Sequence, residues 1–173
     1  RISHRLRFTK IPEILMIIYI DMDDTLVNFT KARLEALRNN PNQPYPQSQY
    51  GFFANLEPIE DAVWAYNTLC EEHYVYFLTA PSVKNPLCYT EKRISIEKLF
   101  GYDACSKLII ADDKSLFKGD ILIDDRANSN NQDKFEGMFI HFGSKEYPNW
   151  KTIVKLIQTH KTWACSDDDL NGR

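Results

Sequence analysis

The sequence predicts an α/β fold, doubly wound around a mostly parallel five-stranded sheet. Five short apolar runs are separated by helical patterns, and each run ends in a polar turn. The chain also has the proportions of one ordinary globular domain, with 173 residues, 43% hydrophobic and 26% charged. Short apolar strands buried on both sides need crossover helices, so alternation of this kind implies parallel pairing.

The first run, "ILMIIYI" (14–20), is followed by the helical pattern "TKARLEALRNN" (30–40). A second helix is expected over "PIEDAVWAYNTLCEEH" (58–73), where Ile59, Val63, Tyr66 and Leu69 share one face. "VYFLT" (75–79) is the second strand, and "TEKRISIEKLFG" (90–101) is a helix closed by Gly101. "KLIIA" (107–111), "DILI" (120–123) and "MFIHF" (138–142) complete the strands, and "NWKTIVKLIQTH" supplies the last helix. The stretch "NNPNQPYPQSQYGFF" carries Pro41, Pro44 and Pro46 and reads as an irregular connection.

Composition narrows the partners. A formal net charge of -3 and a pI near 5.8 give no electrostatic case for a nucleic-acid polymer or an anionic membrane. Small molecules are the expected partners, and a homodimer is a candidate assembly. No apolar run reaches the roughly 20 residues that cross a bilayer. Cys70, Cys88, Cys105 and Cys165 are widely spaced, without a C-x-x-C pair, which fits a reducing, cytoplasmic setting. Cys70 and His73 have a helical chelating spacing but no second pair nearby, so they read as packing and surface residues. The basic stretch 1–15 reads as an N-terminal extension ahead of a single domain over 16–173, and the acidic end "CSDDDLNGR" as a solvated terminus.

In a doubly wound sheet, ligands bind at the carboxyl ends of the strands, where the strand order reverses. Four of these ends carry polar groups: Asp21 and Asp23; Thr79; Asp112, Asp113 and Lys114; Asp124 and Asp125. Each alone could be a solvated turn or a helix cap. Together they make a hard oxygen site suited to magnesium, beside donors for a phosphoryl group: a hydroxyl and a lysine ammonium. The chemistry this indicates is phosphoryl transfer.

"DMDDT", "LTA", a later lysine and "LIDD" resemble the haloacid dehalogenase-like phosphatases, whose core is a Rossmannoid sheet. "DMDDTLVNF", "FFANLEPIEDAV", "FLTAPSVKNPLCYTEKRISIEKLFG" and "DKSLFKGDILIDDR" are similar, in order, to the 5'(3')-deoxyribonucleotidase family. The resemblance implies a magnesium-dependent hydrolase of deoxyribonucleoside monophosphates that works through an aspartyl-phosphate. Asp21 is then the nucleophile, and Asp23 the general acid and later the base. Magnesium is held by Asp21, the Asp23 carbonyl and one of the "DD" pair, Asp125 before Asp124. Thr79 supplies the phosphate-binding hydroxyl. Lys114 is the first choice for the phosphate-binding lysine, ahead of Lys92 and Lys84.

The same resemblance makes residues 29–60 a small helical cap, with Phe29 and Phe53 at positions that line the base pocket. Packing of cap against core is the other use for those two rings. Animal members place tryptophans in the cap, whereas this chain has none between 30 and 63, with Tyr45, Tyr50 or Phe52 as replacements. Asp112 stands in place of an arginine, and Asp24 where relatives can have Gly; Asp24 reads as a turn or helix-start residue. Two alternatives are another small phosphomonoester, such as a sugar phosphate, and a phosphoacceptor signalling module. Receiver domains put the acceptor Asp after the third strand, whereas here both key carboxylates follow the first.

Overall fold

A computed structural model describes residues 15–160. Most of the proposed N-terminal extension, the first residue of the first apolar run and the acidic end lie outside the described residues. Five parallel strands form one sheet in the order β3-β2-β1-β4-β5: β1 (Ile17–Ile20), β2 (Tyr74–Thr79), β3 (Leu108–Ile110), β4 (Ile121–Asp124) and β5 (Met138–His141). All five expected strands are present, in an α/β doubly wound arrangement. The chain builds outward from β1 to one side and then returns to build the other. The reversal therefore falls between β1 and β4.

Four α-helices accompany the sheet: α1 (Phe29–Asn39), α2 (Ala62–Cys70), α3 (Cys88–Phe100) and α4 (Trp150–His160). Gly101 ends α3 at φ +91, a conformation that a side chain disfavours. The second helix starts later than its apolar pattern suggests, at Ala62 rather than Pro58. The reason is tertiary: Pro58 bridges Val27, and the Ile59 amide donates to the Leu26 carbonyl at 2.8 Å. Asp61 then turns the chain at φ +62 before α2 begins.

The two sheet faces are covered differently. Ile18, Ile20, Phe77, Ile121 and Ile123 share a core with apolar residues of α2, α3 and α4. Tyr19, Leu78 and Leu122 belong to a second, smaller cluster closed by Phe135 and Phe117. Those two phenylalanines come from the β3–β4 and β4–β5 crossovers, which carry short 3-10 turns in place of an α-helix. Alternate residues of β1 thus enter different clusters, as the period of a strand requires. Among the described residues, no helix is long and apolar enough to cross a membrane.

Two contacts fix the turn after β1. Asp24 sits at φ +57, a left-handed conformation that Asp tolerates better than most residues, and accepts from the Thr30 amide at 2.8 Å and the Thr30 hydroxyl at 2.5 Å. It thereby ties the turn to the start of α1. Fully buried Trp150 donates its indole N–H to the Thr25 carbonyl at 3.0 Å, and the Thr25 hydroxyl accepts from the Asp125 amide at 3.1 Å. The start of α4 therefore helps to hold the β1 and β4 ends in place. Trp150→Phe should keep most of the packing but lose that donor. Urea unfolding should show a loss of about 1–3 kcal/mol; unchanged stability would show that the indole bond contributes nothing net.

Candidate active site

Strand register alone brings the polar groups together. Ile20 pairs with Ile123, and the Asp21 amide donates to the Ile123 carbonyl at 2.9 Å, so Asp21 and Asp124 emerge side by side. On the other flank Ile20 pairs with Phe77, which sets Thr79 just beyond the level of Asp21. Lys114 follows β3 in a 3-10 turn capped by Asp113, whose carboxylate accepts from the Ser115 amide at 2.9 Å.

Asp21, Asp124 and Asp125 each offer a carboxylate oxygen, and the three oxygens lie within 4.8 Å of one another. The Lys114 ammonium lies between two of them, 2.5 Å from Asp21 and 2.5 Å from Asp124. Burial pulls the lysine toward the neutral form, but the two carboxylates outweigh it and its pKa is raised. Asp124 is raised by burial and then by Asp21, against the opposing pull of Lys114. Asp125 is pushed up to about 7 by burial and by its carboxylate neighbours. One ammonium thus leaves the cluster with surplus negative charge. Three convergent hard oxygens with surplus negative charge fit a magnesium ion.

Asp23 belongs to a second group. Its Oδ2 accepts from Lys92 at 2.8 Å, and the same ammonium donates to the Thr79 hydroxyl at 2.7 Å. Lys92 is fully buried although it lies on α3, because these partners and the Phe53 ring, 5.1 Å from its nitrogen, enclose it. Desolvation pushes the Asp23 carboxyl above its ordinary range; Lys92 opposes this, and Asp21 and Asp24 add to it. Its Oδ1 is buried without a partner among the described residues.

A cavity of about 250 Å³ opens over the carboxylate cluster and reaches the second group at Asp23, while Lys92 and Thr79 are buried behind that lining. Asp21, Asp23, Lys114, Asp124 and Asp125 line it, together with Phe29 and Phe53. Those two rings stack at 5.9 Å, so the packing and pocket-lining uses foreseen for them are compatible. Phe52 packs edge-on against both rings, while Tyr50 is exposed. Lys84 instead places its ammonium 3.3 Å from the centre of the Tyr45 ring, away from the residues that line the cavity.

Several participants had no sequence signal. Fully buried Gln132 donates to Asp124 Oδ2 at 3.0 Å and accepts from the Asn130 amide at 2.7 Å, so it orients a cluster carboxylate from the loop after β4. Gln47, Arg126 and Asn130 also line the cavity. Asp112 lines it too, and accepts from the Asn130 side chain at 2.9 Å. No short motif marks Gln132 or Gln47. The acidic pair after β4 was the nearest visible signal, and it pointed to Asp124 and Asp125 without their buried partner.

The model of the family described as "5' nucleotidase, deoxy (Pyrimidine), cytosolic type C protein" matches residues 42–164. A protein of Vibrio phage KVP40, named among the 5'(3')-deoxyribonucleotidases, is 34% identical over 143 residues, covering 82% of this chain and 84% of its own length. The human cytosolic-type 5'(3')-deoxyribonucleotidase is 27% identical over 169 residues, covering 79% of this chain and 78% of its own. In fold, the chain is similar to a haloacid dehalogenase-like family hydrolase from Xanthomonas campestris, with a TM-score of 0.61 at 10% identity over 88% of this chain and 99% of that one. With its parallel sheet, its carboxylates at the β1–β4 reversal and these matches, the chain belongs to the 5'(3')-deoxyribonucleotidase family.

Proposed function

We propose that this protein is a magnesium-dependent 5'(3')-deoxyribonucleotidase, hydrolysing deoxyribonucleoside monophosphates to nucleoside and phosphate through an aspartyl-phosphate on Asp21. The observation that carries this reading is that one cavity is lined both by a carboxylate cluster with its lysine and by Asp23, whose carboxylate is held from behind by buried Lys92 beside Thr79. Residues 29–60 act as the cap, and the stacked Phe29 and Phe53 offer the base an aromatic wall.

Asp21, Asp124 and Asp125 would hold the magnesium ion, with the Asp23 carbonyl as a further ligand. When bound, the ion supplies positive charge against the phosphoryl oxygens and so permits two anions to approach each other. Asp21 attacks phosphorus in line with the leaving ester oxygen. Lys114, Lys92 and the Thr79 hydroxyl draw in the non-reacting oxygens. Asp23 Oδ1, buried and without a protein partner, carries the proton that passes to the leaving oxygen. The resulting Asp23 carboxylate takes a proton from water as that water attacks the aspartyl-phosphate, which regenerates both groups.

The two carboxylates therefore have opposite duties, and their surroundings differ accordingly. Asp21 lies 2.5 Å from the Lys114 ammonium, whereas desolvation favours the neutral acid at Asp23. Lys92 opposes that trend but also anchors Asp23 Oδ2, leaving Oδ1 as the proton-bearing oxygen.

Phosphate release should be measured on a panel of deoxy- and ribonucleoside monophosphates with sugar phosphates for contrast. The wild type should favour deoxyribonucleotides, and release from sugar phosphates alone would reject the nucleotide reading. Asp21→Asn and Asp23→Asn should each lower kcat by about 100-fold or more while the circular dichroism spectrum is retained. Normal turnover in either folded variant would overturn the assigned roles. Chelator should abolish release and added magnesium should restore it; activity that persists after exhaustive chelation would remove the ion from the mechanism. Acid quenching of the wild type with phosphorus-labelled substrate should leave label on Asp21, and a peptide map showing label elsewhere would displace the nucleophile.

A further inference from the structure

Next to Lys92 on α3 stands Glu91, which the mechanism does not use. Its side chain is 3% exposed, and among the described residues none of its hydrogen-bond partners is a cationic side chain. Instead it accepts from the backbone of the cap: Gly51 N–H donates to Oε1 at 2.6 Å, and Phe53 N–H to Oε2 at 3.1 Å. Asn85, itself buried, donates to Oε2 at 3.1 Å and to the Gln49 carbonyl at 3.4 Å. The Asn85 Oδ1 accepts from the Leu87 amide at 2.9 Å, which fixes the orientation of the amide. One carboxylate thus gathers three donors, two of them main-chain groups on either side of Phe52.

We infer that Glu91 is a positioning residue that latches the cap to α3 and thereby sets selectivity for nucleotides over ringless phosphomonoesters. The inference rests on the nucleotide reading of the site. α3 carries both ends of the device: Lys92 reaches into the site toward Asp23 and Thr79, while Glu91 holds the strand of cap that carries Phe53. The Phe53 ring consequently lies 5.1 Å from the Lys92 ammonium and stacks on Phe29. Phosphate binding and the aromatic wall are referenced to the same helix turn, so their separation is set by one rigid element. A carboxylate suits this task because it offers acceptors only, and all three partners are donors. The exposed Lys98, which donates to the Ala54 carbonyl at 2.9 Å, adds a second and more solvated tie from the same helix.

Glu91→Gln keeps the shape but replaces an acceptor with a donor, so at least one cap amide faces another donor. The expected result is faster hydrogen exchange at the Gly51 and Phe53 amides, with exchange in β1 unchanged. KM for the best deoxyribonucleoside monophosphate should rise about tenfold, while kcat/KM for glycerol 2-phosphate stays within about twofold of wild type. Unchanged amide exchange and unchanged nucleotide KM would overturn the latch. An equal loss on both substrates would overturn it too, because Glu91 would then act on the reacting groups and not through the cap. If Glu91→Gln does not fold, Asn85→Ala should give a smaller shift in the same direction, and its absence would count against the inference. A wild type that hydrolyses no nucleotide sinks the functional reading alone, since the exchange of the cap amides still reports the latch.

Discussion

Charge compensation between neighbouring strand ends is the constraint on which the rest of the structure depends. Parallel pairing of β1 with β4 forces Asp21 beside Asp124, and Asp125 follows within reach. Carboxylates so placed repel one another and lose hydration, which is costly in a protein interior. The buried Lys114 ammonium relieves part of that cost from the far side of the sheet order, after β3. Much of the local architecture serves to keep these groups in register. Gln132 steadies Asp124, Thr25 holds the Asp125 amide, and Trp150 holds Thr25.

The same principle explains why the two acid groups after β1 have different partners although they are two residues apart. Alternation along an extended chain would point Asp21 and Asp23 the same way, but the chain turns immediately after β1, with the Leu26 and Val27 amides both donating to the Met22 carbonyl. The turn sends Asp23 to Lys92 on α3 while Asp21 stays with Lys114. Separation onto two lysines gives each carboxylate its own electrostatic setting. The cavity is then lined by the carboxylate cluster with its lysine and by a separate acid whose burial favours the neutral form.

Covering the site falls to α3 and the irregular segment before α2. Backbone N–H groups in an irregular connection have no regular partner, and a buried one must find an acceptor. Gly51 and Phe53 find theirs in Glu91. The contact that satisfies the loop is therefore also the contact that places the aromatic wall. One buried carboxylate thus joins this irregular segment to α3.

Much of this was legible in the chain itself. Apolar periodicity locates all five strands and the four helices, because burial on a sheet writes its pattern locally, and the strand-end rule picks out Asp21, Thr79, Lys114, Asp124 and Asp125. The resemblance carried by "DMDDT" and "LIDD" implies separate duties for Asp21 and Asp23. Tertiary structure decided the remainder. Pro58 and Ile59 lost their place in α2 to a bridge with Val27, since a long-range partner outweighed a local preference. Lys92 entered the site while Lys84 went to Tyr45, although both lie in segments similar to the family. Gln132 and Glu91 were silent in the sequence because a buried acceptor or donor is defined by what surrounds it, and those surroundings come from residues as many as 40 positions away.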